Sequence, residues 1–400
     1  MENTFWFYTG SRTFLMLSDL LFVMTITFFI YQDTQSVAYA SLFPLIRTLC
    51  QLLAGLLSPV LTDRFQTFHL LKWIPLFRLG MMTLFTTQFH LIVQHMSWLF
   101  VALILISLTG GLISPVLQAI LPMLVPENQL VKANSTSSIF HQIVQVAGYT
   151  LTGMLVFSVG PFYILVITCI MIVISYLFFI PILPILQQEK IVQKTNTMGS
   201  FKAGWTVILK NKAVRTLIFM DVCENIAGAV WIGTITLAFV TQDLKETEEW
   251  WGLINAAYYT GAIAGGVLAA WMNQLIQKQL LLFMAAGSFI YAVLTILFAV
   301  NSLPWLALLL CILMGPAYQI RDVSQQTILQ TETPASYLSK VYSAHFVLSS
   351  VSVSLSILLV GIIADIFGAR FVYLFAGLFV LVCSSIAILT FMIQKKRAAD

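Results

Sequence analysis

Twelve stretches of this 400-residue chain are apolar for long enough to cross a lipid bilayer. Six fall near residues 13–31, 37–61, 70–90, 98–122, 135–158 and 162–186. After a polar gap, six more fall near 216–240, 250–272, 280–300, 305–329, 337–363 and 371–393. A crossing needs about 20 apolar residues. Lipid offers no partner to a free backbone N–H or C=O, so each stretch is expected to be a helix. The expected fold is therefore an all-α polytopic membrane protein with six spans followed by six. Composition agrees, because only 9% of the residues are charged and 59% are hydrophobic, whereas a soluble domain carries about 25% charge. A soluble enzyme, a nucleic-acid-binding domain and a secreted module are excluded, and no sizeable domain fits outside the membrane.

The net charge of +4 informs mainly through its location. Cytoplasmic loops collect Lys and Arg, and an even number of spans leaves both termini on one side. With that side cytoplasmic, only Lys245 and Arg370 fall in outer segments and Arg47, Arg78 and Arg321 within spans; every other Lys and Arg lies inside. Both termini are expected in the cytoplasm, and the stretch from Met1 to Arg12 lacks the basic start of a cleaved leader. The chain divides into an N-terminal bundle over 1–186, a basic linker over 187–213 and a C-terminal bundle over 214–400. In the linker, Phe201, Trp205 and Ile208 share one helical stripe. That stripe suits a short helix on an anionic leaflet, acting either as a tether between halves or as a plain solvated link. The five cysteines, Cys50, Cys169, Cys223, Cys311 and Cys383, show no metal-ligand spacing and are expected to be packing residues.

The two halves repeat each other. At an offset of 208, Gln118, Ile120, Leu121, Pro126, Leu130, Lys132 and Ser135 meet Gln326, Ile328, Leu329, Pro334, Leu338, Lys340 and Ser343. The same frame pairs Gly153 with Gly361 and Gly160 with Gly368. At an offset of 210, Gln32, Asp33, Ala54 and Gly55 meet Gln242, Asp243, Ala264 and Gly265. Parallel repeats of this kind are typical of transporters whose site lies between the repeats.

Twelve spans, parallel six-span halves, inside termini and a basic central loop resemble the major facilitator superfamily, whose fold places two pseudo-symmetric six-helix bundles side by side. That family carries a signature between spans 2 and 3: a Gly, three residues, Asp-Arg, then Gly and further basic residues. Here PVLTDRFQTF keeps Asp63-Arg64, with Pro59 and Gln66 at the glycine positions and Thr67 and Phe68 at the basic ones. The resemblance makes Asp63 and Arg64 a cytoplasmic gate. In the second half Asn273 and Gln274 stand there, and the charge is lost. Gly361, Asp365, Gly368 and Arg370 match the spacing better but fall between spans 11 and 12, where they read as a turn with Asp365 and Arg370 solvated. The run LPMLVPENQLVKANS, followed by Gly148, Gly153, Gly160 and Pro161, resembles the bacterial macrolide-efflux type of drug exporters.

The resemblance implies a secondary transporter in the bacterial cytoplasmic membrane: a monomeric, proton-coupled antiporter that exports amphipathic organic compounds by alternating access. Its partners would be a small-molecule substrate, protons and membrane lipids, not nucleic acid. The residues agree on the energy source, since no Gly-Lys-Ser/Thr phosphate loop, nucleophile–base set, metal cluster or dinucleotide motif is present. The chain is expected to be no enzyme and to hold no cofactor. Two rival readings are an uptake carrier for a small metabolite or lipid, and a membrane sensor or accessory protein that transports nothing.

Ionisable groups within spans cost about 2.5–3.5 kcal/mol each, so they point to function or to ion pairs. They are Asp19, Arg47, Arg78, Asp221, Glu224, Arg321 and Asp322. The resemblance makes spans 1, 4, 7 and 10 cavity-lining, which gives Asp19 a substrate or proton role; the alternative is a pair with an arginine of a neighbouring helix. Arg47 fits an ion pair or a substrate contact equally, and Arg78 is expected to be structural. Asp221 and Glu224, three residues apart, lie on one face of span 7 and are expected to titrate as a coupled unit. Arg321 and Asp322, about 100° apart on span 10, each need a partner elsewhere. Tyr258, Tyr259 and Tyr318 suit either an apolar cavity or the packed core.

Overall fold

The computed structural model describes residues 3–34, 37–94, 96–187, 197–231, 233–247 and 249–399. Among them the chain is helical, with no strand. The long helices of the first half are α1 Asn3–Thr34, α2 Val37–Arg64, α3 Thr67–Thr87, α4 Met96–Leu124, α5 Leu130–Val159 and α6 Pro161–Phe179. Those of the second half are α7 Lys212–Gly228, α8 Glu249–Trp271, α9 Leu280–Val300, α10 Pro304–Glu332, α11 Ala335–Phe367 and α12 Ala369–Ala399. Among the described residues nine helices are long and apolar enough to cross a membrane. Of the other three, α7 is 17 residues long, α3 carries Lys72 and Arg78, and the polar run ANSTSS lies near the start of α5.

Two boundaries differ from the sequence reading. Helix α1 begins at Asn3, ten residues before the expected start. Arg12 therefore lies within the helix, where its guanidinium donates to Tyr8 Oη at 3.2 Å. Span 7, expected as one helix over 216–240, is broken. After Gly228 come a 3₁₀ turn over Ala229–Trp231, a short helix over Gly233–Ala238 and a π turn over Phe239–Asp243. Gly228 and Gly233 bracket the break, and each glycine disfavours a helix interior by about 1 kcal/mol relative to alanine.

The repeat is visible in the backbone. Gly160 and Gly368, paired by the offset of 208, both adopt positive φ, +86° and +83°. Each closes one long helix and opens the next, a conformation that costs glycine nothing. At the second of these turns Arg370 is not simply solvated. Its Nε sits 3.0 Å from Asp243 Oδ1, while Asp365 is exposed. The linker holds a helix over Thr197–Lys210. It seats Gly204 against the backbone of Lys340, with Ile208 buried and Lys202 and Lys210 exposed.

The contacts divide the chain into two compact units. One comprises Met1–Val125, Ile143–Thr206 and Ala335–Val347. Its core joins Phe22, Ile26, Phe43, Met82, Phe85 and Leu103, with α1 packed on α6 and α2 on α4. The other comprises Pro126–Gln142, Val207–Pro334 and Leu348–Asp400. Its core centres on Phe239, Phe298, Met314 and Tyr373. Its closest helix pair is α8 with α10, where Gly261 and Gly315 meet backbone to backbone with no room for a Cβ on either. The start of α5 belongs to this second unit. Asn134 donates to Thr327 Oγ1 at 2.9 Å and to Gln330 Oε1 at 2.8 Å. Val131 packs among Ala269, Ile276 and Val323. All five cysteines are free thiols, and Cys50, Cys223, Cys311 and Cys383 are buried.

Candidate functional site

Helix α7 is started by Asn211, whose Oδ1 accepts from the backbone N–H of Ala213 at 2.9 Å and of Val214 at 3.2 Å. The Asn211 amide also donates to the carbonyl of Glu332 at the end of α10 at 3.0 Å. This cap fixes the register of α7 against α10. About three turns along, Asp221 and Glu224 face Arg321 of α10. Arg321 Nη2 lies 3.2 Å from Asp221 Oδ1 and also pairs with Glu224 Oε2. Asp221, Glu224 and Arg321 thus form one ion-pair cluster within the second unit.

Its two carboxylates are not equivalent. Asp221 is 6% exposed and accepts from Gln325 Nε2 at 2.8 Å, Asn225 Nδ2 at 2.9 Å and Ser349 Oγ at 2.7 Å, besides Arg321. Each of its two oxygens thus accepts from two donors, which meets a carboxylate's hydrogen-bonding capacity. Glu224 accepts from Ser288 Oγ and Arg321, and it lines a cavity of about 350 Å³ that Asp221 does not line. One guanidinium faces two carboxylates, so the cluster carries one surplus negative charge when both are ionised. Arg321 is 5% exposed, and its Nε has no hydrogen-bond partner.

The cavity is walled by Trp231, Tyr258, Tyr291 and Tyr318 together with Glu224 and Arg321. Tyr258 and Tyr318 were among the aromatic residues that the sequence left open between cavity and core. Trp231 and Tyr291 were not singled out. The break of α7 brings Trp231 in, because the 3₁₀ turn after Gly228 changes the angular step that a continuous helix would impose. A lone tryptophan between two glycines inside an apolar span is the signal that could have found it. Gln325, Ser349 and Ser288 carried no such signal. As ordinary polar residues on α10, α11 and α9, they acquire meaning only from their contacts.

The remaining candidates lie elsewhere. Asp19 of α1 pairs with Arg78 of α3, so these two form an ion pair of the first unit. Arg47 is half-buried on α2 and has no ion pair or hydrogen bond through its side chain among the described residues. Asp322 is half-buried and does not line the cavity. Asp63 is buried, with its Oδ1 2.7 Å from Lys340 Nζ at the start of α11, whereas Arg64 beside it is exposed. Lys340 is the partner that sequence reasoning did not supply for Asp63. Among the described residues no group of His, Cys, Asp and Glu is placed to hold a metal ion.

The chain is similar to known carriers along its whole length. It is 31% identical over 392 residues to the uncharacterized MFS-type transporter YfmI of Bacillus subtilis (strain 168), covering 96% of each chain. It is 30% identical to the uncharacterized MFS-type transporter YjbB of the same organism, covering 96% of this chain and 92% of that one. Among solved structures, the fucose:proton symporter FucP of E. coli superposes with a TM-score of 0.74 at 12% identity, over 96% of this chain and 98% of that one. A bacterial homologue of the iron transporter ferroportin, in its outward-facing state, gives a TM-score of 0.74 at 16% identity, over 99% and 100%. At such identities the structures testify to the fold alone. The family model of the Major Facilitator Superfamily matches residues 9–355. With twelve long helices among the described residues and relatives of this closeness, the chain belongs to the Major Facilitator Superfamily, as a multi-pass membrane carrier and not an enzyme.

Proposed function

We propose that the protein is a proton-coupled antiporter that exports amphipathic organic compounds across the bacterial cytoplasmic membrane by alternating access. Both termini lie in the cytoplasm, and the covalent halves 1–186 and 214–400 move about the 187–213 link. The observation that carries this reading is the unequal pair on α7. Asp221, held by four donors, is fixed in place against Arg321. Glu224, at the cavity wall, is left to exchange. With Glu224 protonated the cluster is neutral; with it ionised the cavity gains a negative charge that water does not screen well. A proton and a cargo that interacts with that charge then exclude each other, as antiport requires. The Asp63–Lys340 pair holds the cytoplasmic gate. The run LPMLVPENQLVKANS supports the drug-exporter assignment through its resemblance to macrolide-efflux carriers.

The test uses purified protein in vesicles with an imposed pH gradient and a panel of amphipathic compounds. Glu224→Gln is expected to abolish uphill flux while leaving downhill cargo exchange measurable. Adding Asp221→Asn removes a further ion pair but restores no coupling. Undiminished uphill flux in Glu224→Gln would take α7 out of the mechanism. Export itself is read from growth of expressing and non-expressing cells against a broad panel of toxic compounds. Sensitisation instead of resistance would reverse the direction.

A further inference from the structure

The aromatic side chains of the C-terminal cavity close into a ring. Trp231 and Tyr258 have centroids 6.3 Å apart, Tyr258 and Tyr318 6.3 Å, Tyr318 and Tyr291 5.8 Å, and Tyr291 and Trp231 6.4 Å. Four contacts in succession return to their starting residue, and all four residues line the cavity and keep part of their surface open. Whatever its skew, the middle of a four-sided ring with edges this short lies no more than about 6 Å from every centroid, which is the range over which a cation is attracted to an aromatic face. Glu224 lines the same space. We propose that this ring, with Glu224 beside it, is the binding site for an organic ammonium ion that carries an apolar substituent. The proposal rests on the antiport reading and names its cargo class.

Three alternatives fit the cavity less well. An inorganic cation needs about six or more oxygen ligands, and these walls are mostly ring carbon. An anion would have to be held by Arg321, whose charge two carboxylates already meet. A wholly neutral apolar cargo would leave the cluster's surplus negative charge enclosed when Glu224 is ionised, which is costly. An ammonium ion compensates the surplus charge. Its methyl or methylene groups, which spread that charge, pack against the ring faces. The cavity volume of about 350 Å³ sits at the small end of ligand pockets, so the apolar substituent is a single ring or short chain.

The test is calorimetric binding to the full-length protein in lipid nanodiscs. The probe is benzyltrimethylammonium, compared with its neutral carbon isostere neopentylbenzene. The ammonium is expected to bind saturably with one site, and the isostere not to displace it. Tyr318→Phe, which keeps the ring face, should bind within about threefold of wild type, whereas Tyr318→Leu and Trp231→Leu should each weaken binding roughly tenfold or more. Thermal unfolding of each variant separates lost binding from lost folding, and the two leucine variants stand on different elements. An isostere that competes as well as the ammonium would overturn the proposal. So would leucine variants that bind like wild type, or folded wild-type protein that does not bind the ammonium. If the ammonium fails to bind while Glu224-dependent flux of another compound persists, only the cargo class falls. If it binds while no flux responds to the pH gradient, the antiport reading falls and this site stands.

Discussion

Replacing Lys340 by methionine keeps the length of the side chain and removes its charge. In the wild type Lys340 is 3% exposed and Asp63 7%, with Nζ and Oδ1 2.7 Å apart. Breaking a buried pair from one side costs about 3–5 kcal/mol, because the remaining charge stays out of water. Each 1.4 kcal/mol is tenfold in an equilibrium constant, so the substitution is expected to shift the population by about 100- to 4,000-fold away from the conformation that holds the pair. Spin labels on cysteines replacing Phe65 and Tyr337, both exposed and close in sequence to the pair, read that population as a distance distribution in a background without native cysteines. Lys340→Met should move the distribution to the longer distance. Asp63→Asn should slow turnover and leave cargo affinity nearly unchanged. The double variant should return most of the shorter population, because neither charge is then stranded, and the cycle of four proteins isolates the pair. A Lys340→Met distribution that overlays the wild type would refute the gate.

Arg321→Met should lower thermal stability by about 3–5 kcal/mol, since it strands two buried carboxylates; adding Asp221→Asn and Glu224→Gln to the same chain should recover most of the loss in a thermal unfolding scan. Gly315→Ala should destabilise by about 1–3 kcal/mol through overpacking, because its Cβ would meet the backbone of Gly261 and Ala262. Gly361→Ala, with nothing within 4 Å of the added Cβ, should be neutral or stabilising by up to about 1 kcal/mol in the same scan.

The architecture was legible because a bilayer leaves so few solutions. Apolar runs of spanning length become helices whatever their detailed sequence, and the repeat offset of 208 reappears in the paired turns at Gly160 and Gly368. The break in α7 was not legible. Hydropathy rates Gly228 and Gly233 as acceptable in an apolar run, and only the 3₁₀ turn that follows Gly228 brings Trp231 to the cavity. The length of α1 escaped for a related reason: hydropathy marks where lipid begins, whereas a helix continues until its backbone groups find other partners.

The site was half legible, and the divide follows the difference between a charge and its neighbours. The cost of placing Asp221, Glu224 and Arg321 in a membrane is visible in the sequence, since each needs an opposite charge and few are present. That Asp221 collects four donors while Glu224 faces the cavity depends on Gln325, Asn225 and Ser349, residues that hydropathy treats as noise. The repeat shows the same limit. Lys132 and Lys340 occupy equivalent positions, yet Lys340 is buried against Asp63 while Lys132 is exposed. The reason lies in the partner, because Asn273 stands where the second half would need its aspartate, and its amide donates to Ala270 in its own turn of chain. Near Lys132 the start of α5 is held instead by neutral amides, Asn134 with Gln330 and Gln319 with Ser138. A duplicated backbone therefore carries one contact built on charge and one built on hydrogen bonds. Only the first should weaken when a single cation is removed, and only the second should withstand it.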